Sequence, residues 1–393
     1  MRITTAIAVL VAAPVAVSQA AENDSVQEQL QQHQQEIEQL KSENRTMKQQ
    51  LNATADMVEQ TASTADQQGH GGGGRTTVGG YGELHYNNRD DSTEAIDFHR
   101  FVLFFGHQFS PGIRFASELE LEHALAGDGA PGEVELEQAF VEFDLPRNTT
   151  ARAGLFLVPA GILNPTHEPA TFYGVERNPV ESAIIPTTWW EAGAGFAGEI
   201  MPGLQYDVSV TSGLQVPTTG ADAYTIRDGR QKVAKATAEN FAYTGRVKWT
   251  AIPGTEVAST VQYQDDITQG TSSAGGGAWL FEAHAITGYG PFNLRALVAR
   301  WILEGSGPEA LGRDHQMGWY IEPSYKITDK VGVFVRHNQW DTEFGSSADT
   351  EKRQTKAGVN FWPHPDVVLK ADVQHQGGAI DSDGFNLGVG YQF

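Results

Sequence analysis

Cysteine is absent from all 393 residues, so neither a disulfide framework nor a thiolate metal site can staple this chain. Bases are scarce: 27 Lys and Arg stand against 49 Asp and Glu, a formal net charge of -22. Charge repulsion then argues against nucleic acid or an anionic lipid surface as a partner. Long apolar runs are missing too. The one apolar stretch, from Ala6 to Val17, is shorter than the roughly 20 residues a spanning helix needs. It follows Met1-Arg2 and leads to Ser18-Gln19-Ala20, a small-x-small pattern before Ala21, which predicts an export signal over residues 1–20. A nucleophile motif is likewise missing. His99, His107, His123, His284, His337 and His375 are scattered, none beside a serine in a G-x-S-x-G context, so no enzyme is expected. Nothing implies a cofactor or a metal, since even His70 has no second ligand at useful spacing.

What is present divides into three parts. Val26, Leu30, His33, Ile37, Leu40, Asn44, Met47, Leu51, Thr54 and Val58 recur at alternating intervals of four and three, with Gln, Glu and Lys around them. That seam predicts a coiled-coil helix over residues 21–61, with Asn44 fixing register at some expense of stability. A single amphipathic helix lying on another surface is the competing reading. Residues 62–75 are rich in Ala, Ser and Gln and end in Gly71-Gly72-Gly73-Gly74, a composition that keeps its chain entropy and reads as a linker.

From residue 76 to 393 the pattern has period two. Phe115, Ser117, Leu119 and Leu121 alternate with Arg114, Glu118, Glu120 and Glu122, and Phe241, Tyr243, Val247 and Trp249 alternate with Ala242, Thr244, Arg246 and Lys248. Sixteen such segments can be placed, near 76–88, 96–109, 113–126, 133–145, 150–160, 192–201, 204–215, 240–251, 255–266, 278–289, 292–303, 315–327, 331–342, 353–363, 367–377 and 384–393. Short turns such as Ser110-Pro111-Gly112, Pro202-Gly203 and Gly290-Pro291 alternate with longer loops. An even strand number with that alternation predicts an all-β fold, a 16-stranded antiparallel transmembrane β-barrel with short turns in the periplasm and long loops outside. A soluble β-sandwich is the alternative. Against it, Tyr86, Tyr206, Tyr263, Trp279, Tyr289, Trp319, Tyr325 and Tyr391 stand near strand ends, where an interfacial girdle belongs. Near Gln138 the phase changes, as Val134 and Leu136 give way to Ala139, Val141 and Phe143, which marks a β-bulge.

Two features carry a family resemblance. The chain closes on Tyr391-Gln392-Phe393, and a terminal aromatic on an alternating last strand resembles the assembly signal of bacterial outer-membrane proteins. Residues 138–193, QAFVEFDLPRNTTARAGLFLVPAGILNPTHEPATFYGVERNPVESAIIPTTWWEAG, resemble the corresponding stretch of porins related to the phosphate-selective family. The resemblance implies a homotrimer of barrels in the outer-membrane lipid, each passing small hydrophilic solutes or ions, with a periplasmic N-terminal coiled coil in some members.

Residues 162–191 form a long loop after the fifth strand, rich in Pro and aromatics rather than flexible Gly and Ser, so it should be ordered. Folded into the barrel it narrows the lumen, with His167, Glu168, Tyr173, Glu176, Arg177 and Glu181 as the constriction residues. An outward cap or a trimer contact is the alternative. Alternation puts Arg100, Arg114, Arg152, Arg246, Lys248 and Arg295 among the lumen-facing bases, with Lys326, Arg336, Lys356 and Lys370, yet acids outnumber them on the same face and no phosphate ladder is evident. A local cluster such as Arg246, Lys248 and Arg295 could still favour anions. The rival to a channel is an anchor whose coiled coil tethers the barrel to the periplasm or cell wall.

Overall fold

Alternating faces become strands when one side meets lipid and the other water, and the chain follows that rule almost throughout. The computed structural model describes residues 75–393; the expected signal, the coiled coil and the linker up to Gly74 lie outside the described residues. Sixteen strands follow one another: β1 Arg75–Arg89, β2 Ala95–Ser110, β3 Ile113–Glu122, β4 Val134–Leu145, β5 Thr149–Leu157, β6 Trp190–Met201, β7 Leu204–Thr211, β8 Ala242–Trp249, β9 Thr255–Gln264, β10 Ala278–Tyr289, β11 Phe292–Leu303, β12 His315–Thr328, β13 Val331–Asp341, β14 Lys352–His364, β15 Val367–Gly378 and β16 Gly384–Gln392. Each pairs antiparallel with its neighbours, and β1 pairs with β16, so the sheet closes into a barrel with no free edge. Gly80 and Phe393 exchange backbone hydrogen bonds at the seam, both 2.9 Å.

The two faces separate cleanly. On β3, β10 and β13 the outward Leu119, Phe281 and Val335 are 37%, 45% and 48% exposed, while the inward Glu118, Glu282 and Arg336 are exposed by no more than 2%. That is the inverse of a soluble protein and the pattern of a lipid-facing barrel. Outward aromatics pair across strand ends, as Tyr263 with Trp279 (4.4 Å between centroids) and Phe292 with Tyr325 (4.6 Å).

β3, β5 and β7 stop furthest short of the alternation that foretold them, for local reasons. β3 ends at Glu122 because His123 and Ala124 turn left-handed, with φ of 52° and 55°. β5 ends where Pro159 offers no N–H to the ladder, and β7 ends just ahead of Gly213, at φ 80°. The phase change in β4 is a bulge: Glu118 faces Gln138 and Leu119 faces Leu136, leaving Glu137 as the extra residue.

The lumen is not uniformly polar. Inward Leu280, Leu297, Trp301, Tyr320 and Trp340 of β10 to β13 are buried, and two long loops fold in over them. The first loop, residues 158–189, brings Ile162, Val180, Ile184, Ile185 and Trp189; the second, residues 212–241, brings Leu214, Val216, Tyr224 and Ile226. One side of the barrel is thereby filled with an apolar core, and the open space is displaced towards β1 to β4.

Candidate functional site

The first loop is fastened to the wall on several sides. Its backbone carbonyls accept from Arg295 (Thr171 O, 2.9 Å), Asn360 (Phe172 O, 3.1 Å), Lys370 (Gly174 O, 2.9 Å) and Trp301 (Ile184 O, 2.9 Å), while Val175 N donates to Asp372 at 2.7 Å. Glu181, wholly buried, accepts from the N–H groups of Ile162 and Leu163 (both 2.6 Å), from Asn178 Nδ2 (3.1 Å) and from Tyr320 Oη (2.8 Å). The wall is cut to receive it. A Cβ at Gly332 would stand 2.2 Å from Tyr173 Oη, and one at Gly390 would stand 2.5 Å from Pro169 Cβ, so only glycine lets the loop lie this close.

Between this loop and β1 to β4 lies a cavity of about 340 Å³. One flank is acidic, with Glu83, Glu120, Glu122, Glu135 and Glu137 from the strands. Bases line it as well: Arg177 from the first loop, Arg227, Arg230 and Lys232 from the second, and Arg89, Arg100 and Lys356 from the wall. Lys232 pairs with Glu133 at 2.7 Å and with Glu135. The three loop arginines form no ion pair among the described residues. Arg177 donates to Thr188 Oγ1 (2.9 Å), Arg227 to Ser182 O (2.7 Å) and Arg230 to Thr188 O (2.6 Å), while Nε and Nη2 of Arg177 are buried without a partner. Burial and the neighbouring charge of Arg230 push Arg227 down to about 10, and burial likewise lowers Arg177 and Arg230. Glu122, Glu135 and Glu137 of the same cavity act on Arg230 and oppose that lowering without outweighing burial.

A family model described as "Phosphate-selective porin O and P" matches residues 70–376. The chain belongs to this family. A relative from Aquifex aeolicus (strain VF5), described as an uncharacterized protein, is 29% identical over 326 residues, covering 75% of this chain and 74% of that one. Among solved structures, the outer membrane channel DcaP of Acinetobacter baumannii superimposes with a TM-score of 0.57 at 12% identity, covering 82% of this chain and 99% of that one. An anion-selective porin from Comamonas acidovorans gives 0.56 at 12%, over 81% and 100%. The trimer form of OmpT from Vibrio cholerae gives 0.55 at 9%, over 82% and 100%. At such identities these likenesses speak to fold, and family and fold together are those of an outer-membrane channel.

The loop residues expected at a constriction divide in this porin. Glu176 and Arg177 line the cavity. His167 and Glu181 do not, because their side chains are spent on fastening the loop: His167 Nε2 meets Glu118 at 3.1 Å and Glu137 at 3.6 Å, and Glu181 takes its four donors. Tyr173 packs against Phe334 and Trp362, and Glu168 lies off the cavity lining. Of the expected wall bases, Arg100 and Lys356 reach the cavity, held by Glu83 at 2.7 Å and Asp372 at 3.4 Å. Arg114, Arg152, Arg246, Lys248 and Arg295 are elsewhere on the wall. Arg114 pairs with Asp144 and Glu142, Arg246 and Arg152 with Asp207, Lys248 with Glu256, and Arg295 with a loop carbonyl. Acid excess on the inner face consumes them, so the suggested cluster of Arg246, Lys248 and Arg295 does not form an open basic site. The cavity bases that sequence reasoning missed on the second loop have a signal in Arg227-Asp228-Gly229-Arg230-Gln231-Lys232, three bases within six residues of an acidic chain.

We expect His167 to make the seating of the loop depend on pH. Burial alone would lower its imidazole, but Glu118 and Glu137 outweigh it and push the group up from 6.5 to about 10. The folded pKa is raised, so the stabilisation is complete below about 6.5 and disappears as pH climbs through about 10. We predict that protease cleavage of the loop and channel conductance both increase between pH 8 and 10.5 (roughly the span over which such an imidazole deprotonates), and that His167→Gln flattens this rise. A wild-type response identical to that of the variant would rule out His167 as the cause.

Proposed function

We propose that this outer-membrane channel is a passive diffusion pore that prefers small anions, with phosphate-sized oxyanions as its solute class. The supporting observation is the set of three guanidinium groups, Arg177, Arg227 and Arg230, that line the cavity without a carboxylate on any of them. Planar guanidinium groups match oxyanions in two-point contact, and charge fixed at the narrowest part of a pore governs which ions enter. Glu176 and Arg177 are then the constriction charges of the first loop. The acids across the cavity, Glu120, Glu122 and Glu135, support a second reading in which the solute carries both charges. The family and the trimeric OmpT likeness support a homotrimer. In this reading the short-turn end of the barrel faces the periplasm, and the coiled coil expected over residues 21–61 is periplasmic too.

Single-channel recording in planar bilayers, with the reversal potential taken under a KCl gradient and phosphate added as blocker, tests the proposal. Anion preference with phosphate block is expected. Cation preference would overturn the anion reading, and a folded, heat-modifiable barrel without conductance would leave the anchor.

A further inference from the structure

At the long-loop end of the lumen stands a second cluster of ionisable side chains, beside the three loop arginines. β2 bulges there: Glu83 of β1 faces Arg100 while His85 faces Asp97, so Phe98 and His99 share one partner position. The extra residue brings His99 to the lumen beside Arg100, where its ring stacks on His85 with 4.8 Å between centroids. His85 itself is engaged by Glu83 (3.2 Å) and Glu176 (3.0 Å). Just past β3, His123 adopts its left-handed backbone and its N–H bonds to His99 O at 3.1 Å. That turn sets the His123 ring 5.7 Å from His99, at 77° to it. Asp97 Oδ2 lies between them, 2.8 Å from His123 Nδ1 and 3.3 Å from His99 Nδ1.

We infer that Asp97, His99 and His123 form a binding site for a divalent first-row transition cation of the zinc or copper class at the channel mouth. Two imidazoles and one carboxylate suit those ions, whereas calcium and magnesium require mostly oxygen. In a tetrahedral site with bonds of ~2.0–2.1 Å, ligand atoms stand ~3.3 Å apart. Two edges of the triangle are already near that length, and all three ligand atoms lie within 4.8 Å of one another. The side chains keep 28% to 32% exposure, which leaves room for the rings to turn inward and for water to complete the shell. A carboxylate that needed only one hydrogen-bond donor would not require two imidazoles converging on one oxygen. The other cluster of this type, Glu118, Glu137 and His167, is closed to solvent and already occupied with the loop. Because His99 also lines the cavity with the arginines, a bound dication would replace the single negative charge of Asp97 with net positive charge at the approach to the pore.

The test is calorimetric titration of the purified full-length porin with Zn²⁺ after chelator treatment, beside Asp97→Asn, His99→Gln and His123→Asn, with Mg²⁺ as control. Asn is chosen at 123 because it tolerates a left-handed backbone. One Zn²⁺ per barrel is expected, no uptake of Mg²⁺ at that site, and affinity lower by at least ~10-fold in each variant. Zn²⁺ added on the long-loop side should alter wild-type current and leave heat-modifiable, folded variants unchanged. Absence of binding by the folded wild type, or equal affinity in all three variants, overturns the site. Calorimetry reads this whether or not the channel prefers anions, so the two proposals fail separately.

Discussion

Replacing Arg177, Arg227 and Arg230 together with glutamate (R177E, R227E and R230E) reverses the sign of the reversal potential under a KCl gradient. An ion passing ~6–8 Å from one unit charge feels about 0.5–3 kcal/mol, depending on whether the local dielectric is nearer 80 or 20. Three charges each changed by two units add strongly to the acids already lining the cavity, whereas its wall bases Arg100 and Lys356 are held by Glu83 and Asp372. Phosphate block should vanish with the reversal. The barrel should survive, since these side chains bond only to loop carbonyls and a hydroxyl and take no part in the strand ladder. A reversal potential left as in the wild type would place selectivity elsewhere in the lumen.

The second large effect is expected at Glu181. Glu181→Leu removes the acceptor for two backbone N–H groups, an amide and the Tyr320 hydroxyl at once. A buried donor left unmade costs about 1–3 kcal/mol, so the loop loses several kcal/mol of docking while the sheet loses nothing directly. Raised single-channel conductance and new protease cleavage within residues 158–189 should follow, with heat-modifiability kept. Glu181→Gln retains an acceptor of the same reach and should give a much smaller change. Wild-type conductance and protease resistance in Glu181→Leu would show that other contacts suffice to hold the loop.

The strands were legible because lipid and water impose opposite demands on alternate residues, and that demand is local. The bulge at Glu137 was legible for the same reason, as a change of phase between Leu136 and Ala139. The bulge beside His99 was not, since Phe98, Phe101, Phe104 and Phe105 blur which face is which. In loops no such rule operates. His167 and Glu181 read as charges facing water, whereas the groups that bury them, Glu118 and Tyr320, lie 49 and 139 residues away in sequence. The inward fold of the second loop was hidden because it depends on apolar wall residues such as Leu280 and Trp301, which alternation assigns to the lumen without saying what covers them.

The fastening of the first loop also sets an order in time. It leaves the sheet after β5, yet Arg336, Lys370 and Asp372, which grip its far side, follow their loop partners by 160 to 197 residues. A chain that inserts strand by strand therefore carries this segment unseated through most of assembly, since such distant contacts cannot form until the later strands are in place. The strands that close the circle also deliver the seat, so the lumen takes its constricted form only once β13 and β15 are in place.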